Sequence, residues 1–183
     1  MKYNSEIHHL RSIRLKGYDY SEPGDYFVTV CTKGFKCLFG DVVDGEVVLN
    51  KVGEATRKSW MEIPRHFLNI ELDEFSIMPN HVHGIITIID NDQNCRGVQL
   101  NAPTENEYFS KISPKKNTLG VIVRTFKGSV KKWCNENCFK HFQWQRNYYE
   151  YIIRGEKDLD RIRDYIVFNP GKWGEDRNNS KNI

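Results

Sequence analysis

Two histidines separated by one residue, His81 and His83, are the first place where this sequence could do chemistry. They open the run His81-Val82-His83-Gly84-Ile85-Ile86-Thr87-Ile88-Ile89, the most strongly β-like stretch of the chain. Side chains alternate along a strand, so both imidazoles project from one face while Val82 points into the core. Two neighbouring imidazoles suit a divalent cation, but a pair is not a complete coordination set. A pair of surface histidines satisfied by hydrogen bonds has the same pattern. A second pair, Tyr165 and Asn169, is spaced by four on an expected helix and therefore shares one helical face. An Asn carbonyl oxygen is an acceptable third ligand for a hard cation such as Mg²⁺ or Mn²⁺. A tyrosine hydroxyl beside such an ion could attack a phosphodiester and form a covalent intermediate. The same spacing fits Tyr165 covering the edge of the core and Asn169 capping the helix before Pro170.

The elements that must position these residues can be read from periodicity. Residues 26–32 are β-branched and aromatic and predict a strand. Residues 37–40 and 46–50 flank Asp44-Gly45, a short-hairpin signal. Residues 51–63 predict a helix stopped by Pro64. A strand over 69–77 follows, its acids Glu71 and Asp73 alternating with Ile70 and Leu72, and then the histidine strand. Residues 90–117 carry Asn, Gly, Pro, Ser and Lys without periodicity and predict a long surface loop. Leu119, Ile122, Val123, Phe126, Val130 and Trp133 then recur at helical spacing with Lys and Arg opposite. Residues 144–153 look aromatic and extended. A last helix over 156–168 buries Leu159, Ile162 and Ile166 and stops at Pro170. Adjacent strands with intervening helices imply an α+β fold, an antiparallel sheet with helices packed on it, in one domain spanning 1–183.

With 183 residues, 39% of them hydrophobic and 28% charged, the chain fits one globular domain rather than a disordered segment. No run approaches the ~18 apolar residues that cross a bilayer, and the first residues lack the apolar core of a signal peptide, so a cytoplasmic protein is expected. Five cysteines in no pattern suit reduced thiols. Cys134, Cys138 and His141 suggest a zinc site, but a fourth ligand at sensible spacing is missing, and free cysteines on a helix are the better expectation. The net charge of +3 is unevenly spread. Between Lys111 and Arg146, seven further basic residues, among them Lys127, Lys131 and Lys132, face the single acid Glu136. Arg11, Arg14 and Lys16 form a second basic group. Such clusters attract phosphate, although a solvated helix face has the same composition.

Three segments together resemble a known family. Met78-Pro79-Asn80-His81-Val82-His83-Gly84, Trp144-Gln145-Arg146-Asn147-Tyr148-Tyr149 and Arg161-Ile162-Arg163-Asp164-Tyr165-Ile166-Val167-Phe168-Asn169-Pro170 resemble the REP-associated tyrosine transposases, single-tyrosine HUH transposases of insertion-sequence type. The similarity runs from about Arg11 to Trp173 with the motifs in the family's order. It implies a ferredoxin-like antiparallel sheet, Mg²⁺ or Mn²⁺ on His81 and His83, Asn169 completing the site, and Tyr165 as the nucleophile. It also implies cleavage of single-stranded DNA near hairpin-forming repeats, leaving a 5′-phosphotyrosine link and a free 3′-OH. Insertion-sequence relatives act as dimers and some REP-associated ones as monomers, so a homodimer stays open. The basic residues Arg11, Arg14, Lys16, Lys127, Lys131, Lys132 and Arg146 are candidates for phosphate contacts. Trp144, with Tyr148, Tyr149 and Tyr151, packs the core or stacks on bases.

Three other functions compete. A domesticated relative would bind hairpin DNA without cutting it, but has no need of His81, His83, Tyr165 and Asn169 together. An RNA-binding module would carry paired stacking aromatics on its strands, a signature missing here. A metal hydrolase would use the histidines with water as nucleophile, leaving Tyr165 dispensable.

Overall fold

The computed structural model describes residues 15, 17–90, 117–179 and 181–182. Its centre is a four-stranded sheet of β1 (Gly24–Cys31), β4 (Ile70–Ile77), β5 (His81–Ile88) and β6 (Tyr149–Ile152), in the spatial order β4-β5-β1-β6. Every neighbouring pair is antiparallel. Helix α1 (Lys51–Met61) connects β1 to β4, and α3 (Leu119–Glu136) lies between β5 and β6. Each helix thus joins two strands that have a third strand between them, which is the ferredoxin-like arrangement. The hairpin β2 (Gly40–Val43) and β3 (Glu46–Leu49) is inserted before α1 and turns at Asp44 and Gly45, with φ of 52° and 81°. Both turn residues at positive φ give the twist a two-residue hairpin needs.

Alternation along β1 divides the core in two. Tyr26, Val28 and Val30 face Trp60 of α1 and Ile122, Phe126 and Val130 of α3 on the first sheet face. Phe27 on the second face packs with Ile85, Ile153 and Ile162 and Ile166 of α4 (Glu156–Phe168). Helices therefore cover both faces, and β5 is buried along nearly its whole length. Asn50 caps α1 by accepting from the backbone N–H groups of Val52 and Gly53 at 2.9 and 3.1 Å. Thr118 caps α3 in the same way through Val121.

Several boundaries depart from the periodicity. Pro64 does not stop α1, which ends at Met61; it sits in the first turn of a separate one-turn helix α2 (Ile63–His66), where a missing N–H costs nothing. Of the extended segment 144–153 only Tyr149–Ile152 is strand, while Trp144 forms an isolated bridge with Thr32. A bulge between Leu72 and Phe75 interrupts the alternation in β4. Cys134 is buried and Cys138, at φ 69°, is exposed past the end of α3, so the two thiols share no face. Apart from its two end residues, the segment 90–117 lies outside the described residues.

Gly84, directly after the second histidine, is demanded by packing. A Cβ there would lie 2.3 Å from Cζ2 of Trp60, a ring that is fully buried against the sheet. Trp60 is wedged at right angles to Phe126 with centroids 5.1 Å apart, so it has little room to retreat. Gly84→Ala is expected to destabilise the fold by about 2 kcal/mol through overpacking, read as a lowered melting temperature in thermal denaturation.

Candidate active site

Strand β5 delivers His81 and His83 to the second sheet face, where both side chains are fully buried rather than at the surface. Their Nε2 atoms stand 2.9 Å apart. Each ring is held from behind. The Asn80 side-chain amide donates to the carbonyls of Phe35 at 2.9 Å and Asn178 at 2.7 Å, which turns its Oδ1 toward Nδ1 of His81 at 2.7 Å. His81 therefore carries its proton on Nδ1 and keeps the Nε2 lone pair for the site. Thr29 Oγ1 meets Nδ1 of His83 at 2.9 Å, and the Phe27 ring stacks on that imidazole with centroids 5.4 Å apart. This is the outer support that metal-ligating histidines ordinarily have.

Helix α4 brings up the tyrosine. Ile162 and Ile166 anchor it on Phe27 and Ile85, and Arg163 grips Asp73 of β4 with Nε at 3.0 Å from Oδ1 and Nη2 at 2.5 Å from Oδ2. One residue before Ile166, Tyr165 places its hydroxyl 3.3 Å from Nε2 of His83. Tyr165 as a residue is 42% exposed, while its hydroxyl rests on the buried pair. Asn169, one turn on, is buried, and its Oδ1 has no hydrogen-bond partner among the described residues.

A further residue arrives from beyond α4. After a short 3₁₀ segment (Pro170–Glu175), buried Asp176 directs Oδ2 to 3.7 Å from Nε2 of His81. Its Oδ1 accepts from the backbone N–H of Asn178 at 2.6 Å, whereas Oδ2 has no hydrogen-bond partner among the described residues. One ligand atom each from His81, His83 and Asp176 all fall within 4.8 Å of one another. Sequence reasoning missed Asp176. It stands in Glu175-Asp176-Arg177-Asn178-Asn179, a polar stretch with no periodicity that would mark one acid as buried.

Electrostatics favour neutral imidazoles. Burial is the main cause that lowers His81 to about 4, with Asp176 opposing it and Arg177 adding to it. Burial, then the neighbouring His81, holds His83 well below the usual histidine value. Burial also raises Tyr165, and Asp176 raises it further, while Arg177 and the Asn169 amide pull the other way. Neutral imidazoles are the ligating form, and two buried oxygens without partners are the donors a hard divalent cation would take. The residues present fit such an ion.

The predicted nucleic-acid contacts are placed less uniformly. Arg11, Arg14 and Lys16 lie outside the described residues. Lys132 and Arg146 are exposed. Lys127 and Lys131 are instead engaged with backbone: Lys127 Nζ donates to the carbonyl of Gln145 at 2.6 Å, and Lys131 Nζ to that of Phe142 at 2.6 Å. Trp144 packs among Phe39, Phe126 and Phe142, with its Nε1 donating to the carbonyl of Lys127 at 3.0 Å. Of the other tyrosines, Tyr149 packs edge-on against Phe27 beneath Arg177, Tyr148 flanks the first core cluster, and Tyr151 is exposed near Asp158. The structure brings Tyr165, His81, His83 and Asp176 together, with Asn169 beside Tyr165. Among the described residues, no helix is long and apolar enough to cross a membrane.

Comparison with known proteins finds relatives in sequence and in fold. No family model matches the chain. An uncharacterised protein of Haemophilus influenzae is 44% identical over 179 residues, covering 96% of either chain. A second protein of Haemophilus influenzae, provisionally assigned as a REP-associated tyrosine transposase, is 26% identical over 157 residues, covering 85% of this chain and 75% of its own. Among solved structures, a REP-associated tyrosine transposase bound to a REP hairpin superposes with a TM-score of 0.57 at 20% identity, over 88% of this chain and 74% of the other. Its likeness is one of fold. The chain thus has the fold of the REP-associated tyrosine transposase of known structure and is similar in sequence to a relative assigned to that family.

Proposed function

We propose that the chain is a DNA strand transferase that binds hairpin-forming single-stranded DNA, and cleaves and rejoins it through a 5′-phosphotyrosine link at Tyr165. The observation that carries this reading is the Tyr165 hydroxyl 3.3 Å from Nε2 of a buried histidine pair, on a residue that is itself partly exposed. The hairpin on the related transposase and the relative's assignment support the substrate class.

Mg²⁺ or Mn²⁺ would be held by His81 and His83, with Asn169 and Asp176 as oxygen donors. Bound there, the ion would offset charge building on the phosphate. The chain's own residues do the rest. Packing of α4 presents the Tyr165 oxygen to phosphorus; the new P–O bond forms as the bond to the 3′-oxygen breaks. The phenol's proton leaves to solvent and the 3′-oxygen takes one up, so the exchange is balanced. The phosphotyrosine bond conserves the energy of the ester, and the 3′-OH can therefore reverse the step without ATP. His83 and Tyr165 meet within one chain, so a homodimer is not needed to complete the site.

Three outcomes test the reading. Protein mixed with 3′-labelled single-stranded hairpin DNA and Mn²⁺ should give a covalent adduct that survives SDS. Tyr165→Phe should lose adduct and cleavage together, by on the order of 10⁴-fold, with melting temperature and DNA affinity unchanged. Cleavage that continues in this variant would identify a water-dependent hydrolase; a wild-type chain that binds the hairpin and never cuts would be a silent binder.

Secondly, Mn²⁺ should raise the melting temperature of the wild type and not that of the His81→Ala/His83→Ala double variant, because only a folded site can be stabilised by its ligand. Equal shifts in both would place the ion elsewhere.

Thirdly, the imidazoles impose a pH dependence. The unfolded chain takes up protons near ~6.5, whereas folded His81 stays neutral to about 4. The unfolded state thus binds more protons in that window, and the metal-free protein should lose stability as pH falls from ~6.5 toward ~4. His81→Gln should flatten this slope; an unchanged slope in denaturant titrations would assign the effect to other groups.

A further inference from the structure

One cation on the active-site face has no part in holding the tyrosine, the histidines or the acid: Arg177. The segment that carries it is fixed at backbone level. Asp176 Oδ1 accepts from the Asn178 N–H at 2.6 Å, the Asn178 carbonyl accepts from the Asn80 side-chain amide at 2.7 Å, and the Asn179 side-chain amide donates to the carbonyl of Trp173 at 2.9 Å. Asp176, Asn178 and Asn179 are buried, whereas Arg177 between them is exposed. Its guanidinium carbon lies 5.5 Å from the centroid of the Tyr149 ring, within the range of a cation–π contact. Among the described residues the guanidinium has no hydrogen-bond or ion-pair partner, so all its donors are left for something else.

Strand register places this cation relative to the nucleophile. His83, Thr29 and Tyr149 are partners on three adjacent strands and so form one row on the second sheet face. With neighbouring strands about 4.8 Å apart, that row spans about 10 Å. Tyr165 stands at its His83 end and Arg177 at its Tyr149 end. The Phe27 ring lies between them, with its centroid 6.0 Å from that of Tyr165 and 6.3 Å from that of Tyr149. The charge of Arg177 accordingly reaches His81, His83 and Tyr165 alike. Two successive residues thus serve the face differently: Asp176 turns its carboxylate in toward His81, and Arg177 lays its cation over Tyr149.

A divalent ion beside His81, His83 and Asp176 would repel a guanidinium on the same face, and a phosphodiester between the two offsets both charges. Arginine presents its donors as a planar fork that matches phosphate oxygens. Attack by the tyrosine oxygen builds charge on the two nonbridging oxygens, where a preorganised donor is worth most. We infer that Arg177 is a catalytic residue that donates to a nonbridging oxygen of the phosphate attacked by Tyr165. It moves no proton and forms no covalent bond; the bonds made and broken remain those of the tyrosine and the 3′-oxygen. This rests on the DNA-cleaving reading of the site.

The experiment uses the full chain, Mn²⁺ and a 3′-labelled hairpin with a single-stranded flank, in single turnover at saturating protein. Arg177→Ala should slow formation of the covalent adduct by about 100-fold. Its melting temperature, and the rise in that temperature on adding Mn²⁺, should stay as in wild type, since the side chain is exposed. Arg177→Lys keeps the charge without the fork and should recover part of the rate. Substituting methyl for one nonbridging oxygen of the scissile phosphate, as two separate stereoisomers, reads the contact directly. Wild type should be slowed by both isomers. Arg177→Ala should be slowed further by only one, because the oxygen missing from the other has already lost its partner. A wild-type rate in Arg177→Ala at saturation overturns the inference, and weakened binding alone would mark a contact to some other phosphate. So do undiminished penalties from both isomers, or loss of the Mn²⁺ shift together with the rate, which would show a damaged metal site. Any of these beside a wild type that forms the adduct overturns the inference alone. A wild type that forms no adduct overturns the proposed function and the inference with it.

Discussion

Strand β5 has no solvent face, and the rest of the site follows from that constraint. Its first face is closed by Trp60 and helix α3, and its second by helix α4. Histidines on a half-exposed strand would be ordinary surface groups with unremarkable proton affinities. Here both are enclosed, and burial is the main reason they stay neutral well below their usual range. The enclosure also leaves their hydrogen bonds to be met by protein. Asn80 and Thr29 do this on the outer nitrogens, so the two inner nitrogens converge.

Enclosure of this kind has a destabilising side. Asn169 Oδ1 and Asp176 Oδ2 are buried without hydrogen-bond partners among the described residues, each at a cost of about 1–3 kcal/mol. A fold tolerates such groups when the surrounding packing is well made. The large aromatic cluster on the first face, with Trp60, Phe126, Phe39 and Phe142 all fully buried, supplies that packing away from the chemistry. The second face carries a smaller apolar cluster, and there the Arg163–Asp73 ion pair adds a directional restraint to α4. A helix held by two isoleucines alone could rock; one clamped at Arg163 keeps Tyr165 in register with His83.

The same division of labour separates the two basic groups of side chains on the α3 side. Lys127 is partly desolvated and bonded to carbonyls, and burial lowers its proton affinity. Arg146, on the loop those bonds hold still, remains exposed. Charge that looks interchangeable in composition is spent on rigidity in one place and left for contact in the other.

Much of this was legible in the sequence because it depends on short-range periodicity. Alternation placed His81 and His83 on one face of a strand, and the spacing of Ile162 and Ile166 gave α4 its observed limits, Glu156–Phe168, with Tyr165 and Asn169 a turn apart. Order of motifs pointed to the ferredoxin-like sheet. Tertiary structure alone decided that the histidine face is covered, since alternation tells which residues share a side and not what lies over it. It alone joined Asp176 to His81, 95 positions earlier, because a buried acid in a polar aperiodic stretch has no local signature. It alone turned Lys127 and Lys131 inward and Trp144 into the core, because long or ambivalent side chains take their partners from whatever the fold sets beside them, and that is a property of three dimensions.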